Sequence, residues 1–162
     1  MFSFFKKKED GILIGAPIKG KVVNITEVSD PTFSDCMLGK GIAIIPSDGN
    51  VYAPADGEIS MLFDTLHAVS MVTTEGVELL IHVGLETVAL KGEGFEAHIQ
   101  NGDVVKKGDL LLTADLEKLK EKGYNTITPV VVCNTDDYKD VLKVADGEVE
   151  QGDEIIKIQK NT

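Results

Sequence analysis

Val51-Tyr-Ala-Pro-Ala-Asp-Gly-Glu-Ile-Ser-Met-Leu62 repeats a frame that first occurs at Ile14-Gly-Ala-Pro-Ile-Lys-Gly-Lys-Val-Val-Asn-Ile25. Both stretches read Ala-Pro-x-x-Gly-x-hydrophobic, thirty-seven residues apart, and Val144-Ala-Asp-Gly-Glu-Val149 is a looser third copy. In each, glycine breaks the chain just before a β-branched run, the pattern of a turn that feeds a strand. Asn101-Gly-Asp-Val-Val-Lys-Lys-Gly-Asp-Leu-Leu-Leu112 adds a strand-turn-strand signal. Many short strands at regular spacing predict an all-β fold, an antiparallel sandwich or barrel with one or two short helices. The one clear helix signal runs from Ala114 to Gly123, where Asp115 can cap, Leu116 and Leu119 form an apolar edge, and Gly123 ends the element.

Bulk properties narrow the function. The 162 residues suffice for one domain with a substantial core, taken as residues 11–162, with residues 1–10 as a tail. Phe2, Phe4 and Phe5 beside Lys6, Lys7 and Lys8 have the make-up of a short amphipathic membrane tether, or of a disordered terminus. No apolar run approaches the roughly 20 residues that cross a bilayer, and the start lacks the layout of a secretory signal. Net charge is −11 and all 16 basic residues are lysine, so an arginine fork for guanine or phosphate is lacking and polyanions are repelled. Nucleic acid is excluded as a partner; a protein with a basic docking face is favoured. Cys36 and Cys133 form no CxxC and read as free, partly buried thiols of a reducing cytoplasm.

Two of the three histidines lie in strand-like runs. His67 is in Phe63-Asp-Thr-Leu-His-Ala-Val-Ser70 and His82 in Gly76-Val-Glu-Leu-Leu-Ile-His-Val-Gly-Leu-Glu-Thr-Val88. Between them, Val72-Thr-Thr-Glu-Gly-Val77 suits a hairpin. A two-residue loop at Thr74–Glu75 or at Glu75–Gly76 would put the histidines on one face; a three-residue loop would put them on opposite faces. In the first two registers Thr65, His67, Val69, Glu78, Leu80 and His82 share a face, and Leu66 and Ala68 join Val77, Leu79, Ile81 and Val83 on the core side. Paired imidazoles disfavour double protonation, so at least one stays neutral near pH 7 and offers a nucleophilic or metal-binding nitrogen. His98, in a polar segment, reads as a surface residue.

The segment from Gly76 to Val88 resembles the phosphorylation-site signature of the glucose-type IIA components (EIIA type 1) of the phosphoenolpyruvate-dependent sugar phosphotransferase system. The flanking Ala53-Pro-Ala-Asp-Gly57, Thr65-Leu-His67, Lys91-Gly-Glu-Gly-Phe95 and Thr128-Pro-Val-Val-Val-Cys-Asn134 agree with it, and the signature-bearing core spans about residues 31–135. The resemblance implies a sandwich of the duplicated hybrid-motif kind and a cytoplasmic phosphocarrier. His82 matches the histidine that accepts a phosphoryl group on Nε2 from the phosphocarrier HPr and passes it to a cysteine of the cognate IIB domain of a membrane sugar permease (IIB/IIC). His67 matches a second histidine that steadies the phosphoryl oxygens, and Thr65 a threonine bonded to one of the imidazoles. Phe33, Phe63, Leu80 and Val88 fall at positions that line the family's docking surface. No cofactor is required, although some members hold zinc between the two histidines with a partner carboxylate completing the site. Some relatives also regulate transporters or kinases by direct contact, and Val72 stands where certain of them have a glutamate.

Two other classes fit less well. A zinc peptidase of the same fold wants three protein ligands and only two histidines cluster here. A lipoyl-type carrier would explain the Gly102 to Asp109 turn but would leave both histidines without a task.

Overall fold

The computed structural model describes residues 11–161. The tail therefore lies outside the described residues, and so does the tether read for its first eight residues. Fourteen strands and two short α-helices follow in order among the described residues. They are β1 (Gly11–Gly15), β2 (Gly20–Asn24), α1 (Pro31–Ser34), β3 (Lys40–Pro46), β4 (Asn50–Tyr52), β5 (Gly57–Leu62), β6 (Ala68–Thr73) and β7 (Glu78–His82). Then come β8 (Phe95–Ala97), β9 (Val104–Val105), β10 (Leu110–Ala114), α2 (Leu116–Glu121), β11 (Thr128–Val132), β12 (Asp140–Lys143), β13 (Gly147–Val149) and β14 (Glu154–Gln159). An eight-stranded sheet runs β13-β2-β3-β11-β7-β6-β5-β9, and two three-stranded sheets run β1-β14-β12 and β4-β10-β8. The fold is all-β and antiparallel, as the glycine-punctuated strands predict. The expected helix forms at α2: Asp115 accepts from the Lys118 N–H and Gly123 takes φ 88° just past its end.

The repeated frames occupy equivalent places. The Gly15 N–H donates to Pro54 O (3.0 Å) and the Tyr52 N–H to Pro17 O (2.7 Å), so the two Ala-Pro corners bond reciprocally. Gly20 opens β2 and Gly57 opens β5; a Cβ there would meet Ile45 O at 2.2 Å and Val72 O at 2.3 Å respectively. Each corner is also bound by a Gly-Asp turn. Gly108 N–H donates to Ala53 O and Ala53 N–H to Asp109 O; Gly152 N–H donates to Ala16 O and Ala16 N–H to Asp153 O. Val105-Lys-Lys-Gly-Asp109 and Val149-Glu-Gln-Gly-Asp153 are thereby a second repeated pair, one that the Ala-Pro frame does not include. The duplication is thus a matched set of backbone hydrogen bonds.

Strands near the centre of the large sheet are buried on both faces. Ile42, Ile44, Leu79, Ile81, Val130 and Val132 enter the main core, shared with the three-stranded sheets. Their neighbours Ala43, Leu80 and Val131 face a second cluster roofed by Ile25, Val28, Phe33, Leu85 and Ile127. That double burial explains why the runs read as continuous hydrophobics instead of alternating ones. Both cysteines differ from expectation: Cys36 and Cys133 are exposed. Cys36 ends the turn after α1 with φ 55°, and Cys133 follows the last residue of β11, one step past the buried triplet.

Candidate functional site

The hairpin between β6 and β7 takes the register that was expected to part the histidines. Thr73 N–H bonds Val77 O (2.9 Å) around the three-residue loop Thr74, Glu75 and Gly76. Gly76 supplies the left-handed third position, φ 93°, that such a loop needs. Ala68 stands opposite His82, and Val69 opposite Ile81. The expected faces are therefore exchanged: Ala68 joins Leu80 in the second cluster, and Val69 joins Leu79 and Ile81 in the main core.

The imidazoles nevertheless meet, with ring centroids 4.8 Å apart and planes at 82°. His67 escapes the alternation because it is not in β6. It ends a four-residue loop, Asp64 to His67, closed by Phe63 N–H to Ala68 O (3.1 Å) and Leu66 N–H to Phe63 O (2.8 Å). Leu66 is left-handed, φ 62°. Thr65 also lies in this turn, not on a strand as expected. Its Oγ1 is 2.7 Å from Nδ1 of His67. A hydroxyl that donates there leaves the proton of the neutral ring on Nε2.

His82, the last residue of β7, has its protons assigned by the backbone. Nδ1 lies 2.7 Å from Gly84 O. A carbonyl only accepts, so Nδ1 carries hydrogen and the neutral ring keeps its lone pair on Nε2. Gly84 can aim that carbonyl because its φ is 80° and it has no side chain; a Cβ would meet Thr87 Cγ2 at 2.7 Å and Asn125 O at 3.0 Å. Thr87 locks the same bend by donating to Val83 O (2.6 Å).

Burial keeps both rings neutral. His67 is 3% exposed, and desolvation followed by the neighbouring His82 lowers its pKa to about 4. Desolvation also lowers that of His82, against the Gly84 carbonyl and the negative charge of Asp30, which raise it. Phe33 packs at 5.0 Å from the His82 ring and Phe63 edge-on at 5.5 Å from His67. Of the four residues assigned to docking, Phe33 (4% exposed) and Leu80 (7%) are buried walls of the second cluster. Phe63 is half-buried and Val88 is 52% exposed, so these two remain reachable. His98, one residue past β8, is exposed as expected, and its Nε2 lies 2.9 Å from Oγ1 of Thr113 on β10.

Two carboxylates, Asp30 and Glu86, have no role in any motif of the sequence reading. A cavity of about 450 Å³ is lined by Asp30, Glu86, Tyr124 and Asn125 together with Leu85, next to the His82–Gly84 bend. Asp30 caps α1, accepting from the Thr32 N–H (2.9 Å), which an Asp-Pro-Thr stretch before a turn could have signalled. Among the described residues, no group of three or more His, Cys, Asp or Glu is placed to hold a metal ion. His67 and His82 would offer zinc two imidazole nitrogens, short of the usual set.

This arrangement has known counterparts. The family model for the phosphoenolpyruvate-dependent sugar phosphotransferase system, EIIA 1, matches residues 12–138. A glucose-specific EIIA component of Oceanobacillus iheyensis is 40% identical over 153 residues, 94% of this chain and 93% of that one. The glucosamine-specific EIICBA component of Bacillus subtilis is 54% identical over 119 residues, which are 74% of this chain but 19% of that longer protein. Glucose permease IIA from Mycoplasma capricolum superposes with a TM-score of 0.86 at 36% identity, covering 96% of this chain and 99% of the other. Signature, duplicated fold and paired imidazoles thus converge, and the chain belongs to the EIIA 1 family of the phosphoenolpyruvate-dependent sugar phosphotransferase system.

Proposed function

We propose that this phosphocarrier takes its phosphoryl group on Nε2 of His82 from phospho-HPr and passes it to a cysteine of a IIB domain. The observation that carries the assignment is the hydrogen bond from His82 Nδ1–H to Gly84 O, which leaves Nε2 as the basic nitrogen. In the first step the Nε2 lone pair attacks phosphorus, the donor's P–N bond breaks, and its electron pair returns to the donor imidazole. In the second, a cysteine thiolate attacks, the His82 P–N bond breaks, and its pair returns to Nε2. The Nδ1 proton stays in place throughout. The phosphorylated ring is then cationic beside an anionic phosphoryl group, and it leaves as neutral imidazole without a proton transfer.

His67 is the second member of the site. With Thr65 donating to Nδ1, its Nε2–H can bond a phosphoryl oxygen. A ring already neutral and desolvated needs little reorganisation when charge arrives. The carboxylates of Asp30 and Glu86 repel the phosphoryl dianion in the free protein but complement a basic donor face. Phe63 and Val88 supply apolar contact around the mouth, with Phe33 and Leu80 supporting from below. The acceptor side agrees with relatives that carry EIIA fused within longer EIICBA or EIIBCA components. Those relatives name glucosamine and β-glucosides as well as glucose, so the sugar is set by the permease partner. The route operates in the cytoplasm, beside the inner face of the membrane, and uses no metal; a zinc ion would need further ligands from a partner.

The test is incubation with phosphoenolpyruvate, enzyme I and HPr, followed by mapping of the phosphate. We expect it on His82 and nowhere on a His82→Ala variant; a labelled His82→Ala protein would overturn the assignment.

A further inference from the structure

The imidazole of His67 lies where a regular strand could not have put it. Continued back from Ala68, the alternation of β6 would send residue 67 to the main-core side with Val69, away from His82. Its backbone is held on both flanks, by Phe63 N–H to Ala68 O (3.1 Å) and by Val83 N–H to His67 O (2.8 Å). What remains to decide the direction of the ring is the bend just before it. That bend is Leu66, at φ 62°, a region that L residues with a side chain avoid. Leucine occupies this position in place of the glycine or asparagine that favours it, and its side chain is engaged. It packs on the main core, and a Cβ at Gly92 would stand 3.9 Å from Leu66 Cδ1.

We propose that Leu66 is a positioning residue: its left-handed backbone, held by the packing of its side chain over the Gly92 turn, swings His67 out of strand alternation and against His82. The proposal rests on the roles given above to the two histidines. It makes the geometry of the site depend on one dihedral angle outside the signature segment. Left-handed conformations at functional sites persist only where the surroundings over-determine them, and here the loop's hydrogen bonds and the leucine contacts do so.

The experiment compares Leu66→Gly, Leu66→Asn, Leu66→Ala and Leu66→Val in the full chain. Glycine and asparagine accept the left-handed region, alanine accepts it poorly, and β-branched valine resists it. Three readouts are taken: charging of His82 by phosphoenolpyruvate, enzyme I and HPr, onward transfer to a purified IIB domain, and titration of the His67 imidazole by NMR. We expect charging within about twofold of the parent in all four, since Gly84 aims His82 independently. Onward transfer stays near the parental rate in the glycine and asparagine variants. In the valine variant it falls by roughly tenfold to a hundredfold, the scale of a misplaced reacting group. His67 titration should follow the same division, remaining at about 4 in the first two and rising toward 6.5 in the last. A valine variant with parental transfer and titration overturns the proposal, as do glycine and asparagine variants that fail like valine. Should the valine protein not fold, the asparagine and alanine pair decides, since both shorten the side chain but differ in left-handed tolerance. A His67→Ala control that transfers at the parental rate would refute the role of His67, while the titrations would still report on its positioning.

Discussion

Ala68, not His67, stands opposite His82 across the β6–β7 ladder, yet the rings of His67 and His82 lie 4.8 Å apart. Two irregular bends achieve this. Leu66 turns one ring inward ahead of its strand, and Gly84 closes on the other just after its strand ends. His67 hangs from backbone outside its strand and His82 from the last residue of β7, while the sheet fixes the distance between the two bends.

The Gly84 bend should be intolerant of any side chain. Gly84→Ala combines a left-handed φ with contacts of 2.7 Å to Thr87 and 3.0 Å to Asn125 O. We expect a loss of about 1–3 kcal/mol by chemical denaturation. Charging of His82 should fall by an order of magnitude or more, because the carbonyl that holds the Nδ1 proton is displaced. Parental charging in a folded Gly84→Ala protein would show that this carbonyl does not prepare the nucleophile.

Thr65→Val removes one hydroxyl from the partner of His67 at nearly constant volume. The change leaves Nδ1 of the buried His67 without a partner, so stability should drop by about 1–3 kcal/mol. Onward transfer to IIB should slow by roughly tenfold, with charging little changed. Equal slowing of both steps, measured by rapid quench, would assign Thr65 to docking instead.

The titration of His67 has a direct consequence for stability. Its pKa is about 4 in the folded chain and near 6.5 unfolded, so the unfolded state binds the extra proton between those values. Stability contributed by the neutral, buried ring is therefore present above about pH 6.5, is lost as pH falls toward 4, and changes no further below that. The full effect is at most about 3 kcal/mol, at 1.36 kcal/mol for each pH unit. Urea unfolding of the parent and of His67→Gln from pH 7.5 to 4 should show a steeper decline in the parent. Parallel curves would mean that the ring is not desolvated.

Residues around the site divide by burial. Phe33→Ala and Leu80→Ala open the second cluster and should cost about 3–5 and 2–5 kcal/mol respectively. Val88→Ala should leave the unfolding midpoint unchanged, since its side chain is already half in solvent, while raising the KM for HPr several-fold. If Val88→Ala binds HPr as the parent does, the docking surface lies elsewhere on the rim.

Much of this protein is legible along the chain. Ala16-Pro17 and Ala53-Pro54 mark corners because proline and glycine act locally, and the corners reappear as a reciprocal pair of hydrogen bonds. The helix after Asp115 follows from its cap and its stop. The pattern from Gly76 to Val88 identifies the family from residue types at fixed spacing, whatever the fold brings near them. Three other features depended on the folded chain. The burial of Phe33 and Leu80 needed the second cluster, which forms only when residues 25–34 roof the outer face of the large sheet. Asp30 and Glu86 share a cavity although the chain separates them by more than fifty positions. Last is the meeting of His67 with His82, because periodicity describes regular strands, and His67 stands just before its strand begins while His82 is the last residue of its own. There the course of the chain turns on left-handed dihedrals, at Leu66 ahead of the His67 ring and at Gly84, whose carbonyl meets His82 Nδ1, and these are held by the packing of Leu66 on the main core and by the Leu85 N–H bond to the distant Asn125 O.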